Sequence, residues 1–236
     1  DGNNVRAWHG SIEKIPCYAE VMATCPVAPY YITYLAAGAS KYFIVGGLTK
    51  IYVHNGTTWT NITRQTTGSD VDYSATAAEG WSSTILGGIL IMVNPNDDPQ
   101  FWALTSGLPV TSTKMADLTN WPASTECAVM RSFKSFLVSL NVTKSSVNYP
   151  TLVKWSTEAA TQTVPSSWDE SSSIVDAGEY PLLDAAGELI RDGLQLADSF
   201  QIYTSGSVYQ MSYVGTPFIF SFRKVAPVGI MAKNCV

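Results

Sequence analysis

The stretch "KIYVHNGTTWTNIT", residues Lys50 to Thr63, poses the fold question. An Asn-Gly pair between two alternating segments is a strong short-range hairpin signal, because a type I′ turn needs positive φ at both central residues. With Asn55-Gly56 as a two-residue loop, His54 is expected opposite Thr57. Tyr52 is then expected opposite Trp59, an aromatic cross-strand pair. Ile51, Val53, Thr58 and Thr60 fall on the other face. A lone hairpin cannot bury such a face, so the fold depends on whether the unit recurs.

It does recur. "YYITYLA" (30–36) and "KYFIVGG" (41–47) precede the hairpin and complete four short strands. "WSSTILGGILIMVNPNDDPQFWAL" (81–104) repeats the theme: apolar run, Gly-Gly, apolar run, polar turn, aromatic strand. "CAVMRSFKSFLVSLNV" (127–142) with "YPTLVKWS" (149–156) makes a third unit. "LQLADSFQIYTSGSVYQMSYV" (194–214) with "FIFSFRKV" (218–225) makes a fourth, with Ser205-Gly206 closing a hairpin that sets Ile202 opposite Tyr209. Taking Trp59, Trp102, Trp155 and Tyr209 as markers, the intervals are 43, 53 and 54 residues. Four strands per unit at that period predict an all-β chain of propeller-like blades, at about 30–63, 81–104, 127–156 and 194–225. A β-sandwich of irregular hairpins is the alternative. Residues 1–29 are read as a strand that completes or packs on the propeller, and both ends as cuts within a longer chain.

The joints are long, polar and rich in Ser and Thr: 64–80, 105–125 and 156–173. Loops of that length usually carry function or contacts. "TKMADLTNW" is read as holding a helical turn, and "LLDAAGELIRDG" as a hairpin at Ala186-Gly187, with a short helix as its alternative.

Composition narrows the chemistry. The chain has 46% hydrophobic and only 14% charged residues, which suits burial against partners. Its net charge of −5 argues against ordinary nucleic-acid affinity, yet is compatible with a surface past which DNA slides. The longest apolar run, Ile85 to Val93, is about half of the ~20 residues a membrane-spanning helix needs. Cys17, Cys25, Cys127 and Cys235 are scattered, and His9 and His54 stand apart, so free buried thiols are expected and no metal site. Three Asn-x-Thr sequons carry little weight without a secretion signal. The acidic pairs Asp70/Asp72, Asp97-Asp98 and Asp169-Glu170 fall in turns and are read as solvated. The order "YVHNGTTW" overlaps the Asp-box turn of sialidase-type propellers at Gly56, Thr58 and Trp59, with Tyr52 and His54 standing where Ser and Asp belong. Five arginines (Arg6, Arg64, Arg131, Arg191, Arg223) leave little for a three-Arg carboxylate clamp.

Thr151 to Val225 resembles the tail nozzle proteins of short-tailed bacteriophages, the tail tubular protein B family. The resemblance rests on "L-x-x-W-S" ending at Ser156, a downstream Trp168, and the Ala177-Gly178 step. It continues through "D-x-x-x-I-Y-T" at Asp198–Thr204 and "S-V-Y-x-M-x-Y-V-G-x-P-x-x-F" from Ser207. "YFIVGGLTKIYVHNGTTW" fits too, as does the opening "NNVRAWHGSIEKIPCYAEV", save that Cys17 stands where a second Gly is expected. The resemblance implies a structural virion protein of the tail, made in the bacterial cytoplasm. Several copies, commonly six, would form a tube attached to an adaptor ring, retaining packaged DNA and conducting it at ejection. It implies no catalytic residue, cofactor or metal, and no enzyme activity. The alternative is a sugar-binding or sialidase-like propeller of a receptor-recognition component.

Overall fold

A computed structural model describes residues 5–9, 11–14, 22–103 and 113–235. The chain is all-β: these residues contain no α-helix, and one 3-10 turn spans Leu183–Ala185. No helix among them is long and apolar enough to cross a membrane.

Four antiparallel sheets of four strands follow one another along the chain, each a meander. β1 (Val5–Trp8) and β2 (Ser11–Lys14) precede them as a separate hairpin, so the expected amino-terminal strand joins none of the four. The first sheet comprises β3 (Tyr31–Ala37), β4 (Ser40–Gly46), β5 (Ile51–His54) and β6 (Trp59–Asn61). A two-rung hairpin of β7 (Gln65–Thr66) and β8 (Ser69–Asp70) lies within the following joint. The second sheet holds β9 (Ser82–Leu86), β10 (Ile89–Val93), β11 (Gln100–Trp102) and β12 (Ala116–Asp117). The third holds β13 (Thr125–Phe133), β14 (Phe136–Lys144), β15 (Val147–Trp155) and β16 (Gly178–Pro181). The fourth holds β17 (Ile190–Leu196), β18 (Ser199–Thr204), β19 (Val208–Gly215) and β20 (Ile219–Ala226).

The packing explains why the middle strands read as unbroken apolar runs. A strand buried on both faces has no polar side to alternate with. In β10 the period of two divides "ILIMV" between two cores. Leu90 and Met92 face a core shared with Leu35, Ile44 and Val53 of the first sheet. Ile89, Ile91 and Val93 face a core shared with Leu137, Val142 and Leu152 of the third. On its far side the third sheet sends Phe133, Phe136, Val138 and Trp155 against Phe200, Ile202, Met211 and Phe220 of the fourth. Each such side chain contributes roughly 1.5–3 kcal/mol by leaving water. Three cores thus join four sheets in series.

Two local readings change. The stretch read as a helical turn supplies β12, which pairs Ala116 with Phe101 and Asp117 with Gln100. Residues 182–193 form no hairpin: the 3-10 turn at Leu183–Ala185 ends before Gly187, and Ile190 opens β17. Cys17 and residues 104–112 of the second long joint lie outside the described residues. Cys25, Cys127 and Cys235 are free thiols, but only Cys127 is buried and Cys235 is exposed, against the expectation of burial.

Candidate functional site

The Lys50–Thr63 hairpin forms, with a different register. His54 pairs with Trp59, Val53 with Thr60 and Tyr52 with Asn61, so the expected Tyr52–Trp59 and His54–Thr57 pairs do not occur. The cause is the Asn55 side chain. Its Oδ1 accepts the amides of Thr57 (3.0 Å) and Thr58 (2.9 Å), an Asx-type closure that widens the loop to four residues. Gly56 still takes positive φ, at 95°. A slip of two residues preserves both faces. Ile51 and Val53 therefore remain in the core, and Trp59 still shares a face with Tyr52.

That face carries an aromatic row across all four strands: Tyr34 pairs with Phe43, Phe43 with His54, and His54 with Trp59. The rings touch, with Tyr34–Phe43 centroids 5.5 Å apart and His54–Trp59 4.8 Å apart. His54 Nδ1 accepts the Gly56 amide at 3.1 Å, while its buried Nε2 has no hydrogen-bond partner. Trp59 Nε1 donates to the Ala23 carbonyl at 2.7 Å. Tyr34 of this row, and Tyr30 and Ile32 beside it, are exposed. The outward face of the fourth sheet is different in kind, a polar row of Gln201, Gln210 and Arg223.

The other markers lie in the cores. Trp102 is fully buried between the first two sheets, edge-on to Tyr42 at 5.7 Å. Trp155 and Tyr209 share the core of the last two sheets. Trp102, Trp155 and Tyr209 sit on third strands, Trp59 on a fourth and on the opposite kind of face, so the four markers are not equivalent positions. Ser205-Gly206 closes its hairpin as expected: Ile202 pairs with Tyr209, and Thr204 N–H donates to Ser207 O at 2.9 Å. Glu188 accepts hydrogen bonds from the Thr204 and Ser207 hydroxyls. The Thr204 bond foremost holds its carboxyl below the usual range.

The first strands of successive sheets lie beside one another, β3 by β9, β9 by β13 and β13 by β17. Polar groups join them. Ser83 Oγ donates to Thr33 Oγ1 at 2.9 Å, and Thr84 Oγ1 donates to Ser132 Oγ at 2.9 Å. Arg131 donates through Nε and Nη2 to both oxygens of Asp192, each at 2.8 Å, and through Nη1 to Ser83 O at 2.6 Å. Asp192 is completely buried and also accepts the amides of Gly193 (2.7 Å) and Asn234 (2.6 Å). Lys233 and Asn234 therefore lie across this junction. Asn234 Nδ2 donates to Trp81 O, and Lys233 Nζ donates to Gly80 O at 3.0 Å. Sequence reasoning passed over this clamp, although a charged residue within the apolar runs "CAVMRSF" and "LIRDG" marks it.

Of the acidic pairs, Asp72, Asp98, Asp169 and Glu170 are exposed, in keeping with the turn reading, whereas Asp97 is buried and Asp70 half-buried, a correction for those two. Asp97 is buried, with Arg64 Nη2 at 2.8 Å, the Ser74 amide at 2.7 Å and Asn94 at 3.0 Å. Asp70 accepts from Asn61, Gln65 and Lys114, and Asp72 pairs with Lys50. Burial, then Asp117, raises the Asp98 carboxyl. Asp169 caps Ser171, whereas Glu170 and Glu179 bind the fully buried ammonium of Lys154 and that of Lys144. These bonds fix loops to sheets. Among the described residues no group of three or more His, Cys, Asp or Glu side chains is placed to hold a metal ion.

No protein-family model matches the chain, and no curated protein matches it.

Proposed function

We propose that the chain is a propeller-type structural subunit of a short-tailed phage tail nozzle, working by assembly into a ring that retains and conducts DNA. The observation that carries this reading is the serial arrangement: four consecutive meanders share cores in pairs, and their first strands run side by side. Blades around an axis need both features, because each small sheet is stable only against its neighbours. The resemblance adds support through contacts between its motif residues. Trp155 of "L-x-x-W-S" pairs across the sheet with Gly178 of the Ala177-Gly178 step, where a Cβ would lie 2.5 Å from the indole. Trp168 is buried edge-on to Trp121 at 4.7 Å.

A subunit that works by assembly offers surfaces rather than a reaction centre. The aromatic outer face of the first sheet, the low charge and the acidic balance fit subunit burial around a lumen through which DNA slides without sticking. Native mass spectrometry with negative-stain imaging of the purified full-length protein tests this. A ring of several copies is expected. A monomer at micromolar concentration that retains or cleaves glycans would replace the proposal with the sugar-active reading.

A further inference from the structure

A cavity of about 320 Å³ lies where the entry to the second sheet, the starts of β13 and β17 and the carboxy-terminal segment converge. Its charged lining is Glu79, Arg191 and Lys233, an excess of one positive charge in a chain of net charge −5. Among the described residues Arg191 makes no ion pair, and its Nε lies buried with no hydrogen-bond partner. A buried guanidinium N–H without an acceptor is rare and costly, and it commonly marks an ion or water that the protein expects to hold. Lys233 donates only to the carbonyls of Gly80 (3.0 Å) and Ala128 (3.5 Å), with no carboxylate at ion-pair distance. By contrast Lys50, Arg64, Lys114, Arg131, Lys144, Lys154 and Arg223 each have a carboxylate or an amide oxygen at hydrogen-bond distance.

We propose that this cavity is an anion site, taking a phosphate group between the Arg191 guanidinium and the Lys233 ammonium. The planar guanidinium fork of arginine can donate to two phosphate oxygens at once, and lysine adds a point charge. The volume leaves room for a phosphate and several waters, each of about 30 Å³. An adjoining recess of about 550 Å³ shares Glu79 and Asn141 with the cavity, but adds Glu126 and no cation, so it repels an anion and directs it toward Arg191. The groups facing Lys233 are Glu79, Cys127, Arg131 and Asp192. Burial outweighs the acidic ones and lowers the ammonium to about 8, so a dianion entering the cavity restores a charge that the site otherwise holds weakly. The inference is independent of ring assembly and stands for a monomer as well.

The test is titration of the full chain with inorganic phosphate at pH 7, read by calorimetry and by amide chemical shifts. Binding is expected, with shifts at Arg191 and Lys233. Arg191→Gln, which breaks no hydrogen bond or ion pair among the described residues, should weaken it about tenfold or more. Lys233→Arg should keep it, and this variant controls for loss of the carboxy-terminal anchor. Sulfate, doubly charged throughout, should bind less tightly as pH rises past about 8. A parallel titration with a dinucleotide separates the source. Competition with phosphate assigns the site to nucleic-acid phosphodiesters, and dinucleotide indifference assigns it to free phosphate. Absence of phosphate binding at tens of millimolar, or equal affinity in Arg191→Gln, overturns the proposal.

Discussion

Removing Arg131 is the sharpest test of how the first strands of successive sheets are held together. Asp192 is wholly buried and accepts four hydrogen bonds, two of them from Arg131. Arg131→Met keeps most of the aliphatic stem but leaves that carboxylate with two backbone amides and no cation at ion-pair distance among the described residues. Breaking one half of a buried pair costs about 3–5 kcal/mol. At about 2–4 °C per kcal/mol for a chain of this size, the melting temperature should fall by about 6–20 °C. Urea unfolding followed by circular dichroism supplies the free energy, and an unchanged m-value shows that the folded state stays compact. The double variant Arg131→Met/Asp192→Leu removes both charges and should recover most of the loss, with the coupling energy given by the cycle. A single variant within about 1 kcal/mol of wild type, or a double variant no better than the single, would refute the reasoning.

Three further outcomes follow from the packing and the turns. Gly178→Ala places a Cβ 2.5 Å from the Trp155 ring and should cost about 1–3 kcal/mol in urea unfolding, whereas wild-type stability would deny that contact. Gly56→Val forces a β-branched side chain onto a φ of 95° and should cost about 1–2 kcal/mol, lowering the melting temperature; an unaltered value counts against the hairpin. Burial alone would raise the Glu170 carboxyl, but hydrogen bonds from Lys154, its own backbone and Lys144 outweigh it and hold it at about 2, below the ordinary 4.5. Its stabilisation is therefore complete above the ordinary value and lost as pH falls from about 4.5 to 2. The stability difference between wild type and Glu170→Gln should shrink over that window, and a constant difference would remove Glu170 from the network.

Local signals carried most of the sheet pattern. The alternation in "FKSFLVSLNV" and the Ser205-Gly206 turn specify long strands with a short loop, and the observed registers follow them. Two of the short strands, β12 and β16, were not legible. β12 makes two pairings, and β16 is separated from β15 by more than twenty residues of polar loop, so neither offers a hydrophobic period to read. The hairpin register turned on one side chain, Asn55, whose two amide bonds lengthen the loop. The clamp was hidden for another reason. Arg131 and Asp192 lie 61 residues apart and meet only after two sheets have packed, a long-range pairing that spacing does not encode. Lys154 is similar: within "LVKW" it reads as a solvent-facing strand residue, but it is buried against Glu170 and Glu179.

The central claim is that serial four-stranded sheets stand around an axis and build a ring wall. Electron cryomicroscopy of the full-length protein, assembled alone or in virions, measures it most directly. The account predicts a ring of several copies in which each copy shows these four sheets side by side, with β3, β9, β13 and β17 innermost. A map showing a single copy whose sheets pair face to face as a sandwich would contradict it.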